Sequence, residues 1–382
     1  MAASVTALRV ALVCDWFLPR MGGIELHLRD LALALRRRGV DARVVTTIPG
    51  PAIVDDVPVH RLKAPLLPGA GVSLSPTIVG RIASLLRDEE FDLVHAHASV
   101  VSPVAYAGAI AGAQEGLPAV ITFHSMLHHS SLLLGATDAL LAWSRRITLT
   151  AVSSVVAAQA VRWMPSASIG VLPNAIDVGF WRAEAHADRI GEVHFVAAMR
   201  LSRKKRPMAL VRAFAQAVRF VAGAPAMRLT IAGSGPEADA ITRLAAELGI
   251  GDRVTLAGQL DRAALRALYA QADVFILPSE RESFGLAALE ARAAGLPVIA
   301  MLAGGTRDFI AAGVNGLLAR NNAELANFIS RLALDQPLRR YMASRNRLAP
   351  SEYDWSAVTA AHRAIYDAAV LTRDAAAVAA QR

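Results

Sequence analysis

Short apolar runs and helical stretches alternate along the chain. Residues 8–14 are apolar apart from Arg9, a glycine-containing loop covers 15–23, and Leu28, Leu31 and Leu35 then recur at helical spacing across 24–38. Gly39 ends that stretch as a C-terminal cap does, and 40–47 reads as the next strand. Strand-like runs return at 93–96, 119–123, 147–152 and 169–172. After a polar, Trp-containing stretch over 174–191 the pattern restarts, with strands at 193–198, 228–232, 254–257, 274–277 and 298–301, each followed by a helix or a glycine-containing loop. This alternation predicts parallel sheets built from βαβ units, and so an α/β fold.

The length of 382 residues exceeds what one hydrophobic core usually organises. We therefore expect two Rossmann-like, doubly wound domains, 1–185 and 186–352. An amphipathic helix over 355–369 should pack back on the first domain, with a frayed tail from 372. Two such halves facing each other would leave a central cleft at the carboxyl ends of both sheets, where open α/β sheets bind ligands.

Composition narrows the class. No run of about 18 apolar residues occurs, and the richest candidate, 132–143, carries Asp138 in its middle. The first apolar run has no charged region before it and no small-residue cleavage site after it, so it reads as a buried strand and not as a secretory signal. Cys14 is the only cysteine, which excludes an internal disulfide and suits a reducing compartment, with the cytoplasm as the default. The net charge of +8 is lopsided: residues 1–185 carry 15 basic against 14 acidic side chains, and 186–382 carry 25 against 18. An anionic ligand in the second half is one explanation and a solvated basic surface the other. No aromatic-interleaved basic stripe or zinc-finger spacing points to nucleic acid.

The most specific segment is Pro278-Ser-Glu-Arg-Glu-Ser-Phe-Gly-Leu-Ala-Ala-Leu-Glu290, between an apolar strand and a helix that stops at Gly295-Leu-Pro297. Glu282, with Ser283 and Phe284, should lie in the loop at the strand's carboxyl end; Gly285 permits close backbone approach, and Glu290 falls about one turn inside the helix. Ionised carboxylates accept hydrogen bonds from sugar and ribose hydroxyls, which suits such a pair. A helix-start glutamate favoured by the dipole and a plain surface charge are the bland alternatives.

Here the chain resembles the retaining GT-B glycosyltransferases of family four, glycosyl transferases group 1, which include phosphatidylinositol mannosyltransferases, bacterial glycosyl-inositol synthases and sucrose synthases. In that family a Glu, seven residues and a second Glu mark the donor site. The resemblance implies that Glu282 contacts the donor sugar's hydroxyls and Glu290 the nucleotide ribose. It further implies that Arg200 and Lys205, in Met199-Arg-Leu-Ser-Arg-Lys-Lys205, hold the diphosphate of a nucleotide-sugar donor, with Lys204 an alternative to Lys205. Fixed cations are what a metal-independent transferase needs as diphosphate charge develops. Only three lysines occur, Lys63, Lys204 and Lys205. Met199 and Arg206 stand where the family usually has glycine.

Three glycine-rich loops are candidates to offer backbone amides to phosphate: Gly22-Gly23, Gly233-Ser-Gly-Pro-Glu237 and Gly304-Gly305-Thr306. In the first half His124 follows the strand 119–123, and the resemblance puts such a histidine near the anomeric carbon and the acceptor. His95, His97, His128 and His129 raise a metal site as an alternative, yet their spacing matches no zinc pattern. The family needs no metal or other cofactor, and the Asp-X-Asp motif of metal-dependent transferases is absent. Residues 15–27, 95–99 and 122–125 look like segments of the catalytic subunit of phosphatidylinositol N-acetylglucosaminyltransferase.

The reading that follows is a retaining transferase moving a hexose or N-acetylhexosamine, from a uridine-based donor, to a hydroxyl of a sugar, inositol, polysaccharide-precursor or lipid-linked acceptor. A nucleotide-sugar epimerase and a non-catalytic nucleotide-sugar-binding module are the alternatives. Arg36, Arg37 and Arg38 close the first helix with a basic end, compatible with peripheral contact with an anionic membrane at its inner face. A core-packed helix with a solvated end is the reading its pattern favours.

Overall fold

The computed structural model describes residues 7–20, 22–69, 71–127, 135, 136, 138, 143–182, 191–222, 225–348 and 352–380. Two compact units arise, one of Met1–Ala175 with Glu352–Arg382, the other of Ile176–Ser351.

In the first unit the strands are β1 (Arg9–Cys14), β2 (Asp41–Thr46), β3 (Ile53–Val54), β4 (Val57–Arg61), β5 (Leu93–Ala98), β6 (Ala119–Phe123), β7 (Thr148–Ala151) and β8 (Ile169–Val171). They lie in the order β3-β4-β2-β1-β5-β6-β7-β8, parallel except for the β3–β4 pair. Both faces of β1 are covered, which is why the run is apolar without alternation. Val10 and Leu12 pack with Leu28, Leu31 and Leu35 of helix Gly23–Arg36. Ala11 and Val13 pack with Ile82 and Leu86 of helix Ile78–Asp88 and with Val104, Ala107 and Ala111 of helix Pro103–Gln114. Tyr366 and Ala369, from the C-terminal helix Trp355–Ala380, join the first of these clusters.

The second unit holds β9 (Glu192–Ala198), β10 (Ala226–Ala232), β11 (Val254–Gly258), β12 (Val274–Leu277), β13 (Val298–Met301) and β14 (Gly316–Ala319). All pairs are parallel, in the order β11-β10-β9-β12-β13-β14. Strand order therefore reverses between β1 and β5 in one sheet and between β9 and β12 in the other.

Some features differ from expectation. β3, β4 and β14 are too short or too mixed to stand out: β3 has two residues at the sheet edge, β4 beside it contains Pro58 and ends in His60 and Arg61, and β14 has four residues. The second unit starts ahead of the 185/186 boundary because Trp181, at the end of helix Val178–Trp181, is fully buried with its ring 5.8 Å from that of Tyr269. The last helix continues to Ala380 instead of fraying after 371, consistent with its alanine-rich end. Most of the 132–143 run lies outside the described residues, and no described helix is long and apolar enough to cross a membrane.

Candidate functional site

At the switch point of the second sheet, the loop after β9 meets the loop after β12. The former turns through a short 3-10 segment, Arg203–Lys205, and the latter runs from Pro278 to Gly285 before helix Leu286–Ala293. Lys205 Nζ donates to Glu282 Oε2 at 2.6 Å, with the lysine side chain 30% and the glutamate 11% exposed. Lys204 is exposed, so of the two lysines it is Lys205 that faces Glu282; Arg200 is exposed at the rim.

Arg206 explains the missing glycine. Its backbone is left-handed (φ 59°, ψ 41°), a conformation glycine adopts without cost. The guanidinium holds it there, donating to Pro278 O at 3.0 Å and Asn322 Oδ1 at 2.7 Å and lying 2.8 Å from Glu280 Oε1. One side chain thus fastens the cationic loop to the Glu282 loop.

The glycines enforce close approach. Gly305 N–H donates to Glu282 O at 2.8 Å, and a Cβ on Gly304 would sit 3.2 Å from Glu282 Cβ. Gly285 has φ 100°, and a Cβ there would meet Thr306 Cγ2 at 2.6 Å. Gly233 has φ 131°, and its Cβ would fall 1.9 Å from Met199 O. The strip 233–235 lies directly on 199–201, joined by Met199 N–H to Ala232 O at 3.0 Å and Leu201 N–H to Ser234 O at 2.9 Å. Four segments singled out in the sequence therefore converge at one sheet edge.

Three expectations need correction. Gly233, Gly304 and Gly305 were expected to offer amides to phosphate, but their N–H groups donate to Gly258 O at 2.6 Å, Met301 O at 3.2 Å and Glu282 O at 2.8 Å. Their amides are engaged within the loops, which they shape. Phe284 is 1% exposed with its ring 5.5 Å from Phe309, so its side chain belongs to the core and only its backbone can reach a ligand. At Gly22-Gly23, which opens helix Gly23–Arg36, the Glu25 carboxylate folds back over the helix start: a Cβ on Gly22 would lie 2.3 Å from Glu25 Oε2. Burial raises the Glu25 carboxyl above its usual range, while its own backbone amide and Arg20, 3.7 Å away, oppose the shift.

Ser283 and Glu290 are both half-buried. Glu290 is inside the helix as expected, and burial followed by the Glu290 charge raises the pKa of the Tyr269 phenol. Ser279 and Thr306, inside two of the marked segments, carry buried hydroxyls with no hydrogen-bond partner among the described residues.

In the first unit His124 follows β6 and is 6% exposed. It belongs to a cluster of buried imidazoles with His27, His95, His97 and His362. His97 Nδ1 and His124 Nε2 are 2.9 Å apart. His95 Nδ1 lies 2.8 Å from Tyr366 Oη, and its Nε2 lies 2.7 Å from Thr122 Oγ1. Burial and, second, neighbouring imidazoles hold the group neutral, with His124 lowered to about 3; His362 is lowered to about 4 by burial. His128 and His129 lie outside the described residues. Among the described residues no group of three His, Cys, Asp or Glu is arranged to hold a metal ion. His27 and His362 were not anticipated, because nothing in their local sequence marks them.

Fold and geometry define a doubly wound α/β protein with a cation–carboxylate pair at the carboxyl edge of its second sheet. Known proteins of this kind agree on a class. Residues 21–180 match Glycosyltransferase Family 4, and 185–349 match Glycosyl transferases group 1. The D-inositol 3-phosphate glycosyltransferase of Pseudarthrobacter chlorophenolicus is 30% identical over 389 residues, covering 91% of each chain. Glycogen synthase of Mycobacterium tuberculosis is 36% identical over 208 residues, 53% of this chain and 49% of that one. In fold, a glycosyltransferase from Rickettsia africae superposes with a TM-score of 0.77 at 16% identity, covering 95% of this chain and 99% of the other. Anabaena Alr3699/HepE, in complex with UDP and glucose, does so at 0.74 and 23%, covering 94% and 99%. The chain belongs to glycosyltransferase family 4; it is a glycosyltransferase with the GT-B fold.

Proposed function

We propose that this glycosyltransferase takes a hexose or N-acetylhexosamine from a nucleotide diphosphate sugar and passes it, with retention at the anomeric carbon, to a hydroxyl of a sugar, inositol or lipid-linked acceptor. The observation that carries the reading is the Lys205–Glu282 pair at 2.6 Å on the switch point of the second sheet, with glycines that bring two more segments, 233–235 and 304–306, against its loops. A cation and a carboxylate side by side suit a ligand with an anionic leaving group joined to a polyol. On arrival of the donor, Lys205 with Arg200 stabilises the charge growing on the departing diphosphate, and Glu282 accepts hydrogen bonds from the sugar. Glu290 takes the ribose, and the backbone of Ser283 to Gly285 lines the sugar. None of these groups needs to transfer a proton: the leaving phosphate oxygen takes the proton of the attacking hydroxyl.

A uridine donor is supported by the UDP complexes of HepE, and an inositol-type acceptor by the name of the Pseudarthrobacter relative. The first unit, with His124, is the acceptor side in this reading. Catalysis proceeds in the cytoplasm without a resident metal, and acceptors carried on lipid would bring the enzyme to the inner membrane face.

The test is incubation with a panel of nucleotide sugars, alone and with cell extract, followed by mass analysis of products. A new glycosylated product together with free nucleoside diphosphate is expected. A changed donor without any acceptor would identify an epimerase, and tight binding with neither transfer nor hydrolysis a binding module; either result refutes transfer.

A further inference from the structure

The buried histidines of the first unit carry a proton arrangement that can be worked out bond by bond. Thr150 Oγ1 donates to Ile121 O at 3.2 Å, and a carbonyl only accepts. Thr122 Oγ1, 2.6 Å from Thr150 Oγ1, must then donate to it, His95 Nε2–H donates to Thr122, and His95 Nδ1 accepts from the Tyr366 hydroxyl. Every member of that chain is satisfied.

The neighbouring pair is not. His97 Nδ1 meets His124 Nε2 at 2.9 Å, while His97 Nε2 is sealed from solvent with no partner among the described residues. Both rings are held neutral by burial, so each carries one proton. Two arrangements are possible. If His124 donated, His97 would bear its proton on Nε2 and bury an unpaired N–H; if His97 donates, what remains unpaired is a lone pair. Orphaned buried N–H groups are the rarer of the two in proteins. His95, tilted 35° against His97 with ring centroids 4.1 Å apart, has both nitrogens committed and cannot relieve the orphan.

We infer that His97 is a positioning residue: its Nδ1–H engages His124 Nε2, fixes the proton of His124 on Nδ1, and makes His124 a hydrogen-bond donor toward its ligand. The role assigned to the ligand rests on the reading of His124 as the acceptor-side residue. The tautomer itself does not. A donor at Nδ1 binds an oxygen lone pair of donor sugar or acceptor, and it cannot serve as a base, which agrees with a reaction whose proton leaves on phosphate.

The test uses the full chain with its histidine rings labelled with nitrogen-15, His124→Gln assigning the His124 signals in long-range proton–nitrogen correlation spectra. His124 should show a protonated Nδ1 and an unprotonated Nε2. His97→Asn, whose side-chain amide reproduces the Nδ1–H donor, should preserve that pattern and keep kcat within about threefold. His97→Leu should lose the fixed tautomer and lower kcat by about tenfold or more, the scale on which losing the partner that orients a functional histidine acts, with donor KM little changed. A protonated Nε2 on His124 in the wild-type chain overturns the inference without any assay of turnover, and so does an equal kcat for the Asn and Leu variants. Unchanged turnover in His124→Gln would instead count against the acceptor-side reading.

Discussion

Asp15 is where charge and burial conflict most openly. It is 1% exposed at the end of β1 and accepts from the amides of Val104 and Ala105, at 3.0 and 3.2 Å, at the start of helix Pro103–Gln114. Desolvation nevertheless raises its carboxyl from the ordinary 3.8 to about 6. The fold thus favours the protonated acid: its contribution to stability is complete below about 3.8 and is lost as pH rises through about 6. Asp15→Asn keeps an acceptor and removes the charge. Thermal melts should show the variant gaining on the wild type between about pH 3.8 and pH 6, by at most about 3 kcal/mol in all for a shift of this size, with little further change above. A stability difference independent of pH would contradict the assignment. Residues of this kind are not legible in sequence, since Asp15 and its partners are far apart along the chain and meet only through strand order. The segments of Glu282 and Lys205 could be picked out, the first by its strand, glycine and helix context and the second by its resemblance to the family. That their side chains touch could not.

At the level of elements, the strands on both sides of each switch point could be read directly, because continuous apolar runs are what two covered faces demand. β3, β4 and β14 escaped because they are short, and β4 mixes Pro58, His60 and Arg61 into its run, whereas the edge strands β8 and β11 fall within apolar runs that could be read. The amides of Gly233, Gly304 and Gly305 turn into neighbouring loops, and a sequence cannot show whether a glycine amide points outward or inward. Gly233→Ala should therefore destabilise severely, because a Cβ 1.9 Å from Met199 O at φ 131° forces the backbone to move. Gly23→Ala, with nothing within 4 Å of the added carbon, should melt within about 0.5 kcal/mol of the parent, as ordinary surface changes do. Equal losses in the two would show that the 199–201 and 233–235 segments do not pack as described. Tyr366→Phe tests the tie between the C-terminal helix and the sheet. It leaves His95 Nδ1 buried without its donor and should cost about 1–3 kcal/mol in denaturant unfolding of the first unit; no loss would remove the hydroxyl from the network.

For the molecule as a whole, two doubly wound sheets of the same strand-order plan carry different chemistry. The first unit gathers neutral, hydrogen-bonded imidazoles; the second gathers cations and carboxylates at the edge of β9 and β12. Family membership makes it a glycosyltransferase, and the proposed donor chemistry depends on the second of these sites. The direct measurement is turnover of the best nucleotide-sugar donor by wild type, Lys205→Ala and Glu282→Ala, each first shown to be folded by its melt. Lys205→Ala should lower kcat by about 10²–10³-fold, as removal of one charge-stabilising group does, and should weaken binding of free UDP. Glu282→Ala should leave UDP affinity within a few-fold while turnover of the sugar falls. Unchanged turnover in both folded variants would contradict the account.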